Sequence, residues 1–150
     1  MASSTEILIG DPAAQHVLIR PLGRSHPGLF DKWDGNWIDC EIVIVAGAFR
    51  GSFRADLRSE EFRMFQEDVE DLNRTLDGAA SFSTMEGQLA LSLTADGNGQ
   101  VRVAGEGIDE AGVGNRLQFG FVIEQAHLQD LGRSLEHLLT AFPVIGAPDA

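Results

Sequence analysis

The hydrophobic pattern of residues 53–76 returns at residues 119–142. Phe53 and Leu57 correspond to Phe119 and Ile123, and then Phe62, Phe65, Val69, Leu72 and Leu76 correspond to Leu128, Leu131, Leu135, Leu138 and Phe142. Each block starts with every second residue apolar and switches to alternating steps of three and four. The first spacing lines one face of a strand and the second one side of a helix, so each block predicts a strand that turns directly into an amphipathic helix. Only the Phe53/Phe119 pair is identical, which makes this a repeated structural unit rather than a demonstrated duplication. The expected fold is α+β: about eight mainly antiparallel strands and two helices, arranged as two sheet-then-helix halves. That pattern constrains architecture and carries no chemistry.

The remaining strands follow from alternation and turn residues. Residues 6–10 and 16–22 read as short strands parted by Asp11-Pro12, and residues 23–35 as a loop broken by Pro27, Gly28 and Gly35. Residues 37–46 place Ile38, Cys40, Ile42 and Ile44 on one face, with Val43 and Val45 making the other face apolar near the end, as in a central strand. Residues 49–57 point Phe49, Gly51, Phe53, Ala55 and Leu57 inward. The first helix is expected to be capped by the Ser59 hydroxyl and stopped by Asp77-Gly78. Strands at 79–86, 88–95, 100–106 and 116–124 follow, with Asp96-Gly97-Asn98-Gly99 as a hairpin turn, and a helix from 126 to 142 ends at Pro143.

A chain of 150 residues makes one domain, here 1–150, with residues 1–5 and 144–150 expected to fray. A lone cysteine forms no intramolecular disulfide, and residues 1–11 lack the basic and apolar regions of a signal peptide. Together they lead us to expect a cytoplasmic protein that spans no membrane. Acids outnumber bases 23 to 11, and only Lys32 is a lysine. A net charge of −12 repels phosphate backbones and anionic lipid, so nucleic acid and membrane surfaces are not expected partners; a basic protein is. The same charge also serves plain solubility.

Motifs that carry chemistry are missing from the sequence. His16, His26, His127 and His137 include no pair at the i, i+4 spacing of a helical metal site, and His127 and His137 differ by about 80° around one helix. Cys40 falls on an inward strand face with no basic neighbour in sequence to activate it, so it reads as a small core residue. No Gly-x-Ser-x-Gly elbow or phosphate-binding loop is present. Glu86 and Glu124 offer two carboxylates at strand ends, but nothing in sequence brings them together. No cofactor or metal is expected.

Two stretches remain as candidate partner-binding sites. Residues 31–37 carry both tryptophans beside carboxylates: Asp31, Trp33, Asp34 and Trp37. Trp is the strongest interface anchor; alternatively, Trp33 and Trp37 plug an open end of the sheet. The second stretch is the first helix, where seven acids and two arginines lie between Ser59 and Asp77. Glu60, Glu67 and Asp71 fall on the side away from its apolar stripe, so reversing their charge is expected to leave the fold intact.

Several strings resemble the WapI-type immunity protein family: Trp33-Asp34-Gly35-Asn36-Trp37, Gly47-Ala48-Phe49-Arg50-Gly51-Ser52-Phe53, Thr84-Met85-Glu86-Gly87, Gly114-Asn115-Arg116-Leu117 and Leu139-Thr140-Ala141-Phe142-Pro143. The resemblance spans roughly residues 30–146. These motifs are structural punctuation and not catalytic signatures. The resemblance implies a small bacterial cytosolic protein that binds and neutralises a cognate toxin, and it transfers no catalytic residue. The residues themselves leave two other classes open: an α+β module with a small-molecule or regulatory pocket, or an enzyme of unrecognised type.

Overall fold

The computed structural model describes residues 4–146; the fraying expected at 1–3 and 147–150 lies outside them. Four strands come first: β1 (Ile7–Gly10), β2 (His16–Arg24), β3 (Trp37–Ala46) and β4 (Phe49–Arg58), followed by α1 (Ser59–Thr75). The second half repeats the plan with β5 (Ala79–Phe82), β6 (Leu89–Ala95), β7 (Gln100–Ile108), β8 (Arg116–Glu124) and α2 (His127–Ala141). Each half forms a four-stranded antiparallel sheet in chain order. The α+β fold and the two sheet-then-helix halves are as the periodicity requires.

Alternation fixes which faces meet. Ile38, Cys40, Ile42 and Ile44 of β3 are buried, as are Leu89, Leu91 and Leu93 of β6 and Val101 and Val103 of β7, and all belong to one core. The two sheets approach closely where β7 has no side chain: a Cβ at Gly107 would stand 2.6 Å from Cδ1 of Ile44 on β3. The helices close the core. α1 lies against β5, α2 lies against β1, and the two pack on each other. Phe82 of β5 sits between Phe62 and Phe65 of α1, with ring centroids 5.3 and 5.2 Å apart, an aromatic cluster that adds to simple area burial. Each helix also satisfies the backbone of the strand it covers. The Asp68 carboxylate accepts the Ser81 N–H (3.2 Å), and His127 Nε2 lies 3.0 Å from the Leu8 carbonyl oxygen.

Some local expectations change. Ser59 does not cap α1; Arg58 is the N-cap residue, and its N–H is taken by Glu61 Oε1 at 2.8 Å. The Ser59 hydroxyl is buried and instead accepts Arg24 Nη1 (3.0 Å). The helix is stopped by Leu76 itself, at φ 54°, with its N–H on the Leu72 carbonyl (2.7 Å), two residues before the expected glycine. Phe49, expected inward, is 66% exposed at the β3–β4 hairpin tip. An open cleft of about 310 Å³ lies beside it, lined by Phe53, Leu117 and Arg50 among others. β5 ends at Phe82, and 84–87 form a turn closed by the Gly87 N–H on the Thr84 carbonyl. In the tail, Ile145 exchanges two bonds with Asn36.

Candidate protein-binding surface

The β3–β4 register pairs Trp37 with Arg58, and this pairing organises the tryptophan loop. The Arg58 guanidinium carbon stands 5.5 Å from the ring centres of both Trp33 and Trp37. Its Nη2 donates to the carbonyls of Lys32 (2.8 Å) and Trp33 (3.2 Å) and meets Glu60 Oε1 at 2.8 Å. Arg58 is only 5% exposed, and its Nε has no hydrogen-bond partner among the described residues. A delocalised guanidinium between two indole faces is a favourable cation–π arrangement, strengthened by the loss of competing water. Lys32 Nζ adds a second cation 5.5 Å from the Trp33 ring.

Two side chains set the path of the loop itself. Asp31 accepts the N–H groups of Asp34 (3.0 Å) and Trp33 (3.2 Å). The Asp34 N–H foremost, with help from that of Trp33, holds the Asp31 carboxyl below its ordinary pKa against a smaller desolvation cost. Asn36 is fully buried and donates to the carbonyls of Lys32 (2.8 Å) and Ile145 (3.0 Å), with Glu60 Oε1 at 3.3 Å. Its own carbonyl accepts the Ser59 N–H (3.0 Å), which pins the loop to the start of α1.

The seven nominated residues therefore separate by environment. Asp31, Trp33 and Asp34 are exposed on the loop, while Trp37 is half-buried as the first residue of β3. Glu60 is not the free surface acid that the helical spacing suggested. It is half-buried and committed to Arg58 and Asn36, so reversing it would leave two cations facing each other and would not spare the fold. Glu67 is exposed. Asp71 is exposed and pairs with Arg74 at 2.7 Å, an i, i+3 contact of little energetic weight in water. Arg58 and Glu60 join the loop to the first turn of α1.

Two exposed side chains nearby were missed. Met64 and Met85 are 63% and 62% exposed, close to the 61% of Trp33. Residues 60, 64, 67 and 71 follow the i, i+4, i+7, i+11 spacing, within about 60° of one another around α1, so Met64 lies inside the acidic stripe. Its place was legible from sequence. Met85 was not: its N–H is held by Glu61 Oε2 at 2.5 Å, a contact made only when the 84–87 turn folds against α1. Burial raises the Glu61 carboxyl above the ordinary range, although the N–H groups of Arg58 and Met85 oppose the shift.

The other candidate groups are placed for structure. Burial foremost, then the charges of Asp39 and Asp56, pushes the Cys40 thiol far up, so it is poorly nucleophilic. His16 Nδ1 lies 3.1 Å from the Asp11 carbonyl. Glu86 and Glu124 are both exposed. No group of three or more His, Cys, Asp or Glu suited to a metal occurs among the described residues. No helix among them is long and apolar enough to cross a membrane.

The family model for the immunity protein WapI-like family matches residues 7–143. The chain belongs to that family. No curated protein matches it. The match runs from the first residue of β1 to Pro143, just beyond α2, and so takes in both halves, the Arg58 clamp and the whole of α1. Membership in the WapI-like family points to a binding protein rather than to a catalyst.

Proposed function

We propose that this protein neutralises a cognate bacterial toxin by binding it in the cytoplasm, and that it catalyses nothing. The family match over residues 7–143 carries this reading. The net charge of −12 supports a basic partner, because an acidic surface speeds encounter with a cationic one and disfavours wrong partners. The loop residues Asp31, Trp33, Asp34 and Trp37 and the helix residues Glu60, Glu67 and Asp71 are the candidate contacts, with Trp37 and Glu60 acting through the shape they give the others.

The test is co-expression with the product of the adjacent gene, as the candidate toxin. Cells carrying both should grow where the toxin alone stops growth, and the purified proteins should form a complex whose association slows as salt rises. Continued killing, together with no binding at low salt, would overturn the proposal.

A further inference from the structure

We infer that the toxin docks on the open side of α1, with Trp33, Met64 and Met85 as an apolar centre and Glu67 and Asp71 as an acidic flank. This rests on the immunity reading above and assigns it a surface. Three different segments deliver the apolar side chains: the loop before β3, the first turns of α1 and the turn after β5. Specific contacts link them. Trp33 rests on Arg58, Arg58 pairs with Glu60, and Glu61 joins the Arg58 N–H to the Met85 N–H. Met64 follows one turn after Glu60 on the same side of the helix.

Each component suits an interface. Trp33 is exposed yet held, with one face on Arg58 and its backbone tied to Asp31, so little rotational freedom remains to be lost on binding. The two methionines are unbranched and polarizable and adapt to the shape of a partner. Glu67 has no ion-pair partner among the described residues, and the Arg74 contact of Asp71 is exposed and exchangeable.

The other surfaces fit a basic partner less well. On the outer face of the first sheet, Arg20 is taken by Glu6 and Glu41, and Arg54 by Asp39, so its charges are already matched. The cleft beside Phe49 is bordered by Arg50, by Asp109 and by Arg116, which is paired with Glu106 at 3.0 Å, so it offers no excess of negative charge to draw a cationic protein. The occupant inferred for the α1 side is therefore a toxin domain with a basic surface around an apolar spot. Charge complementarity steers it, and the Trp33 centre sets how long it stays.

The experiment is surface-plasmon kinetics with the product of the adjacent gene, as the candidate toxin, against five forms of the full chain. These are wild type, Trp33→Ala, Met64→Ala with Met85→Ala, Glu67→Lys with Asp71→Lys, and Phe49→Ala, each first shown to unfold cooperatively. Trp33→Ala and the methionine pair should each raise the dissociation rate about tenfold or more. The charge reversal should lower the association rate and flatten its salt dependence, and Phe49→Ala should stay within about twofold of wild type. Tight wild-type binding unaffected by the Trp33, methionine and charge variants would overturn this surface while leaving the immunity function standing; no wild-type binding would overturn the immunity reading itself. Because Met64 and Met85 are exposed and take no part in the Arg58 clamp, their variant keeps the test decisive even if Trp33→Ala does not fold.

Discussion

Replacing Arg58 tests the idea that one buried cation holds the loop, the sheet and the first helix together. In Arg58→Ala the Glu60 carboxylate loses its 2.8 Å partner, two carbonyls lose their donor and two indoles lose the ring-stacked cation. Breaking a buried pair by deleting one member costs about 3–5 kcal/mol. The Glu60 side chain keeps 23% of its exposure and can recover some hydration, so the lower end, about 3 kcal/mol, is expected. For a domain of this size that lowers Tm by roughly 6–12 °C. Arg58→Met with Glu60→Gln removes both charges and keeps the volume, and it should recover about half of the loss because no carboxylate is stranded. Urea unfolding followed by tryptophan emission suits the question, since both tryptophans of the chain stack on Arg58. Far-UV circular dichroism supplies the independent probe. A loss under about 1 kcal/mol for Arg58→Ala, or a double variant less stable than the single one, would refute the reasoning.

Phe65→Ala should cost about 3–5 kcal/mol, since Phe65 is fully buried against Phe82; a shift in urea midpoint equivalent to less than about 1 kcal/mol would contradict that packing. Leu76→Gly should be neutral or stabilising by up to about 1 kcal/mol, because glycine accepts the left-handed φ of 54° that leucine resists; thermal melts that show a clear loss would mean Leu76 packing outweighs the strain. Glu61 has a raised pKa in the fold, so the native state keeps a proton that the unfolded chain has released, and stability falls as pH rises from the ordinary glutamate range through the raised value. Glu61→Gln should remove that fall, and parallel midpoint-against-pH curves for the two proteins would show that the group does not titrate as its burial requires.

What could be read from the sequence was local. Alternation in β3, the Asp96–Gly99 turn and the apolar stripes of both helices need only neighbours a few residues apart, and residues 37–46 and 116–124 came out with the right bounds. The errors share a different origin. Ser59 has the chemistry of a cap, but Arg24 reaches its hydroxyl from across the first sheet. Glu60 lies on the solvent side of an ideal helix, yet β4 delivers Arg58 and the loop delivers Asn36 to it. Plug and anchor both stayed open for the tryptophan pair, because its stacking on Arg58 depends on a cation whose place is fixed by strand register. In each case the deciding partner is distant in sequence, or is positioned by a distant element.

The covering of β1 by α2 has a consequence for how the protein is made. His127 meets the Leu8 carbonyl across a sequence separation of 119 residues, so β1 leaves the ribosome well before the helix that satisfies its open edge. Until then the apolar faces of Ile7 and Ile9, fully buried in the finished molecule, have no complete cover, and exposed apolar surface of that kind favours aggregation. A chain cut short before α2 would present an unpaired strand edge at β1, open to pairing with other chains.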